Sequence, residues 1–196
     1  MVNLKDVLVI LDPGHGKSTP GKCSPTWKDG TKLYEWSWTR EIANMVKEML
    51  DAEGIPCVLT VTTDADVSLS DRASIANKFP QKHKLLISIH GNASTTSGEG
   101  TAKGWEIYTT KGLTQSDALA DKFIDNFNYC CKGRKLRGKK ENNFTVLVKT
   151  KCPCVLTENF FYDNAEDCQY MLSDSGKDAI AELHYRAIKS YLATLK

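Results

Sequence analysis

The chain has 196 residues, 41% of them hydrophobic and 26% charged, the balance of a globular protein with a sizeable core. A formal net charge of +2 supplies no strong pull toward nucleic acid. No apolar run approaches the roughly 20 residues a membrane-spanning helix needs, and the first one is too short for a secretory signal, so synthesis in the cytoplasm without a transmembrane segment is expected.

The first element is a strand, Val7 to Leu11 (VLVIL), apolar throughout and therefore buried on both faces. Asp12, Pro13 and Gly14 stop it, and His15 follows on glycine-flanked backbone. Gly16 to Lys32 is a loop long enough to suggest function. A helix runs from about Tyr34 to Glu53, with Trp38, Ile42, Met45, Val46 and Met49 as its apolar stripe. Glu35 falls on the inward side of that stripe. A carboxylate there needs a cation, a metal or amide donors, or else the favourable end of the helix dipole.

Pro56 to Val61 reads as the second strand, and Ser70 as the cap of a helix reaching Phe79 and carrying Arg72. Leu85 to Ile89 (LLISI) is the third strand and ends in His90; a small polar loop follows to Gly100. Trp105 to Thr109 alternates as a fourth strand near a sheet edge, and Ser116 to Asn128 as a helix. The basic run Lys132 to Lys140 reads as a solvated loop or as a patch for an anionic polymer such as a cell wall. Thr145 to Val148 and Val155 to Phe161 read as strands, the latter holding Glu158, and Lys177 to Leu195 as the last helix, with His184 on its apolar face.

Strands alternating with helices predict an α/β three-layer domain with a largely parallel sheet. Parallel strands put their carboxyl ends on one edge, where open α/β sheets bind ligands. His15, His90 and Glu158 each follow an apolar strand segment, and Glu35 heads the helix after the first strand, so all four can meet there. Two histidines and a carboxylate are a common catalytic zinc set. Glu158 lies in an apolar context that raises a carboxyl pKa and suits a proton shuttle; an ion pair with Arg72 or a lysine is the alternative. Gly16-Lys17-Ser18 mimics the end of a phosphate-binding loop, but Leu11 stands where its first glycine belongs. The seven cysteines have neither the even count of a disulfide framework nor the C-x2-C spacing of a structural zinc site.

LDPGHG (Leu11 to Gly16), YEW around Glu35, LSDRASIAN (Leu69 to Asn77), SIHGNAS (Ser88 to Ser94) and PCVLTENFFYDN (Pro153 to Asn164) resemble the zinc-dependent N-acetylmuramoyl-L-alanine amidases of the amidase-3 type. NFFYDNAED looks like the catalytic domains of bacteriophage endolysins within that family. The resemblance implies a mixed six-stranded sheet flanked by helices, one zinc ion held by His15, Glu35 and His90, and Glu158 as the catalytic carboxylate. It also implies bacterial peptidoglycan as substrate, host lysis as purpose, and action on the wall once the host membrane is permeabilised. Asn92 is then a candidate to hold the oxyanion or merely to shape the turn after His90, and Arg72 a candidate substrate contact. Residues 1–196 read as one catalytic domain without a separate wall-binding domain. The competing readings are a carboxypeptidase-like zinc peptidase, which usually spaces its first ligands as H-x-x-E, and a wall-binding module that has lost catalysis.

Overall fold

A computed structural model describes residues 3–195. The opening apolar run becomes β1 (Val7–Pro13), buried at every residue. It lies between β2 (Cys57–Leu59) and β3 (His83–Asn92) and runs parallel to both. The sheet continues through β6 (Cys154–Phe161), β4 (Trp105–Thr109) and β5 (Leu136–Glu141), giving the order β2-β1-β3-β6-β4-β5. Only the β4–β6 pairing is antiparallel.

Helices cover both faces, so the architecture is a three-layer α/β fold with a six-stranded, mostly parallel sheet. On one face α1 (Glu35–Ala52), α3 (Gln115–Cys130), α5 (Ala165–Leu172) and α6 (Asp174–Leu192) bury Trp38, Ile42, Phe123, Met171 and Leu183 against Val7, Val9, Leu11 and Ile87. On the other, α2 (Leu69–Lys78) and α4 (Thr145–Lys149) pack Ala76, Val146 and Leu147 on Leu8, Ile10, Leu86 and Leu156. The odd–even split along β1 is the two-residue period of a strand with a core on each side. Among the described residues no helix is long and apolar enough to cross a membrane.

Several elements differ from their sequence-based assignment. TVLV at Thr145 is a helical turn, not a strand: Val146 and Leu147 are both buried while Val148 is 56% exposed, and a four-residue apolar run has no period that separates the two states. The second half of the basic run is the edge strand β5, not a solvated loop. Its cations have acid partners, Lys139 with Asp117 and Asp121, and Arg137 and Lys140 with Glu106. Charge along an unpaired edge also opposes strand addition. The cap of α2 is Ser68, whose Oγ accepts from the Asp71 amide, rather than Ser70. Helix α5 follows a turn at Asp163 and Asn164 and is capped by the Asn164 side chain, which accepts from the Asp167 amide.

Candidate metal centre

The parallel strands β1, β3 and β6 bring their carboxyl ends to one edge. His15 stands just past β1, and His90 and Glu158 are direct register partners on β3 and β6. Glu35 is the first residue of α1 and fully buried, its Oε1 accepting from the Gly91 amide at 3.1 Å. Ligand atoms of His15, Glu35 and His90 all lie within 4.8 Å of one another. His90 Nδ1 is 3.1 Å and His15 Nε2 3.4 Å from Glu35 Oε1.

The backbone is shaped for this meeting. His15 has φ of 60°, left-handed backbone that a histidine adopts only when its surroundings hold it. Its carbonyl accepts from both Arg40 Nη2 and Arg72 Nη2 at 3.0 Å. Gly14 lies flat under the His90 ring, where a Cβ would come within 2.3 Å of Cε1.

A buried relay fixes the His90 ring. Arg72 Nη1 donates to Asp12 Oδ1 at 2.8 Å, Ser88 Oγ donates to Asp12 Oδ2 at 2.7 Å, and His90 Nε2 lies 3.2 Å from Ser88 Oγ. With its hydrogen on Asp12, Ser88 Oγ accepts from His90 Nε2–H, which turns the Nδ1 lone pair toward Glu35. A lone pair and a carboxylate oxygen at hydrogen-bond distance need a proton or a cation between them. Glu35 Oε2 is sealed from solvent and has no hydrogen-bond partner among the described residues. Burial works to raise the Glu35 carboxyl, but positive charge shared with the His15 and His90 rings outweighs that and holds it at about 2, and a proton or a cation between them acts in the same direction. Burial also lowers the His15 imidazole, against the pull of Glu35, and so favours its neutral, ligating form. Two imidazoles and one ionised carboxylate with an orphaned oxygen fit a divalent cation such as zinc.

Glu158 sits in the opposite environment. Its Oε2 is sealed and unpartnered, and no ion pair to it forms among the described residues. Desolvation, and then the charges of Glu35 and Glu106, push its carboxyl well above the ordinary range, with Lys22 opposing. Such a group can hold a proton near neutral pH.

The structure separates the remaining candidates. Arg72 is 1% exposed and its donors are taken by Asp12, Pro13, His15 and Val67, so it supports the loop that carries His15, which corrects both the substrate-contact expectation and the pairing with Glu158. Asn92 is half-buried beside His90, donating from Nδ2 to Glu106 Oε1 at 2.9 Å and accepting at Oδ1 from the Ala93 amide. His184 is a core residue. Asp12, Ser88, Arg40 and Glu106 escaped the sequence reading. The available signal was polarity inside strands that are otherwise apolar, at Asp12 and at Ser88 of LLISI.

An α/β sheet with a His–Glu–His cluster that could hold a metal ion at its carboxyl edge, and a carboxylate oxygen without a partner among the described residues on the next strand, is a site with the makings of a hydrolase. The chain belongs to the N-acetylmuramoyl-L-alanine amidase family of the amidase-3 type, which matches residues 9–190. It is 32% identical over 188 residues to a sporulation-specific N-acetylmuramoyl-L-alanine amidase of Bacillus subtilis, covering 93% of this chain and 67% of that protein. It is 34% identical over 192 residues to an endolysin of Bacillus phage SPP1, covering 94% of this chain and 66% of the endolysin. The chain thus spans about two thirds of the length of these relatives. Among solved structures, the N-acetylmuramoyl-L-alanine amidase of Clostridium difficile 630 superposes with a TM-score of 0.86 at 30% identity, covering 97% of this chain and 98% of that one.

Proposed function

We propose that this protein hydrolyses the amide joining N-acetylmuramic acid to L-alanine in bacterial peptidoglycan, with one zinc ion held by His15, Glu35 and His90. The observation that carries the reading is the pair of sealed carboxylate oxygens, Glu35 Oε2 and Glu158 Oε2, without hydrogen-bond partners among the described residues, at one strand-end edge. A bound zinc ion supplies Lewis acidity and makes water more acidic. Glu158 takes a proton from the attacking water and returns it to the departing alanine nitrogen, so that the amine leaves neutral. Its raised pKa suits both halves of that transfer. Asn92 has one amide hydrogen not engaged by Glu106, available to the developing oxyanion. Residues 1–196 act as one catalytic unit in this reading.

Digestion of purified wall, followed by mass spectrometry, tests it. Free muramoyl lactyl carboxyls and new L-alanine amino termini, lost with chelator and restored by zinc, are expected. New reducing sugar ends, or cuts within the peptide, overturn it.

The setting we infer is phage lysis, with synthesis in the host cytoplasm and access to the wall after membrane permeabilisation. The similarity to a phage endolysin supports this. Cells expressing the protein should clear only when a permeabilising agent is added; clearing without one contradicts the setting.

A further inference from the structure

Glu106 on β4 is the direct register partner of Glu158 across the antiparallel β4–β6 pair, so the two side chains share one sheet face. Like charges placed opposite each other in a sheet are destabilising. Glu106 is 2% exposed and meets that problem with four donors. Its Oε1 accepts from Asn92 Nδ2 at 2.9 Å and Tyr108 Oη at 2.8 Å; its Oε2 accepts from Arg137 Nε and Lys140 Nζ, both at 2.5 Å.

One cation would neutralise Glu106. Two are present, both on β5, so Glu106, Arg137 and Lys140 together carry a formal charge of +1 whose positive side faces away from Glu158 across β4. Both cations remain reachable, with side chains 26% and 37% exposed. The Arg137 guanidinium lies over the Phe161 ring at 4.9 Å and uses Nε on Glu106, with a weak 3.4 Å contact from Nη1 to the Lys103 carbonyl. Held over the ring and anchored at Nε, it presents a preorganised planar edge, and planar edges of arginine select carboxylates. The chain reaches this place because the basic run is an edge strand whose Arg137 and Lys140 turn toward the site while Lys139 turns toward α3.

We propose that Arg137 and Lys140, joined through Glu106, form a carboxylate-binding subsite for the stem peptide beside Glu158. The proposal rests on the amidase reading above and refines it. The stem residue after L-alanine carries an α-carboxyl that walls present either free or as a carboxamide, and the subsite favours the free acid.

Two synthetic muropeptides test it, N-acetylmuramoyl-L-alanyl-D-isoglutamate and its D-isoglutamine counterpart. The zinc-loaded wild type should prefer the acid about tenfold in kcat/KM, through KM, as expected for a charged hydrogen bond. Arg137→Gln and Lys140→Gln should each bring that ratio toward one, and Arg137→Lys should restore part of it. Calorimetry in a Glu158→Gln background should show the same preference in Kd. A wild type indifferent to the two ligands overturns the subsite. So does an Arg137→Gln variant that weakens both alike with the ratio intact, since that is the mark of a scaffold residue. A wild type that cleaves neither ligand, while the Glu158→Gln protein binds the acid better, refutes the amidase chemistry and leaves the subsite standing.

Discussion

Glu35 and Glu158 both neighbour His90, one through its side chain and one through strand register, yet the fold keeps them in opposite states. Glu35 is fully buried but ringed by two imidazoles and a backbone amide, and its carboxyl is held at about 2. Glu158 is given no cation close enough to pair with among the described residues, and its carboxyl is pushed up. Burial acts the same way on both; the partners decide the outcome. The first is suited to be a permanent anionic ligand and the second a proton carrier, a division of labour set by environment rather than residue type.

The comparison can be broken first at the ligand side. His15→Ala removes one of three converging donors, and wall hydrolysis should fall by more than about 10⁴-fold, beyond what loss of proton transfer alone removes. Release of dye from labelled wall, read together with bound zinc, checks this. Next, Glu158→Gln keeps shape and loses the proton acceptor; hydrolysis should fall by about 10² to 10⁴-fold. A variant releasing dye at the normal rate contradicts the role given to Glu158.

A third test reaches the support of His90. Arg72→Met leaves Asp12 charged, 1% exposed and short of its ion partner, at a cost of about 3 to 5 kcal/mol. Urea unfolding measures it, and a loss under about 1 kcal/mol would show the relay to be dispensable.

The fourth and smallest effect uses a histidine away from the site, a control for what burial alone does. His184 is fully buried, with Nδ1 donating to the Ile180 carbonyl and Nε2 accepting from Thr157 Oγ1, and burial holds it down at about 4. Below pH 6.5 the unfolded chain binds a proton that the folded chain refuses until about pH 4. Stability from this residue therefore falls as pH drops through that window, by about 3 kcal/mol in all, and is unaffected above it. Unfolding curves at pH 7 and pH 4.5 should converge when wild type is compared with His184→Gln; parallel curves would contradict the assignment.

Much of this was legible in the chain. VLVIL and LLISI carry the signature of strands covered on both faces, and residues placed just after or at the end of such strands share an edge whatever their separation in sequence. Glu35 was legible from helical phase. What the sequence hid were partners rather than elements. Asp12 reads as a strand stop, and nothing local says that Ser88 and Arg72 will close on it. Helical phase puts Arg72 inward without naming the acid it meets. TVLV is too short to show a period, so packing by Ala76 and Leu86 decided its state. The basic run looks solvated until Glu106, Asp117 and Asp121 arrive from other elements to pair with it.

The most direct test of the two carboxylates is zinc stoichiometry at neutral pH in a matched pair of amide variants. Glu158→Gln should keep one equivalent of zinc while losing hydrolysis, and Glu35→Gln should lose the zinc itself. Equal zinc content in the two variants would contradict the assignment of one carboxylate as ligand and the other as proton carrier.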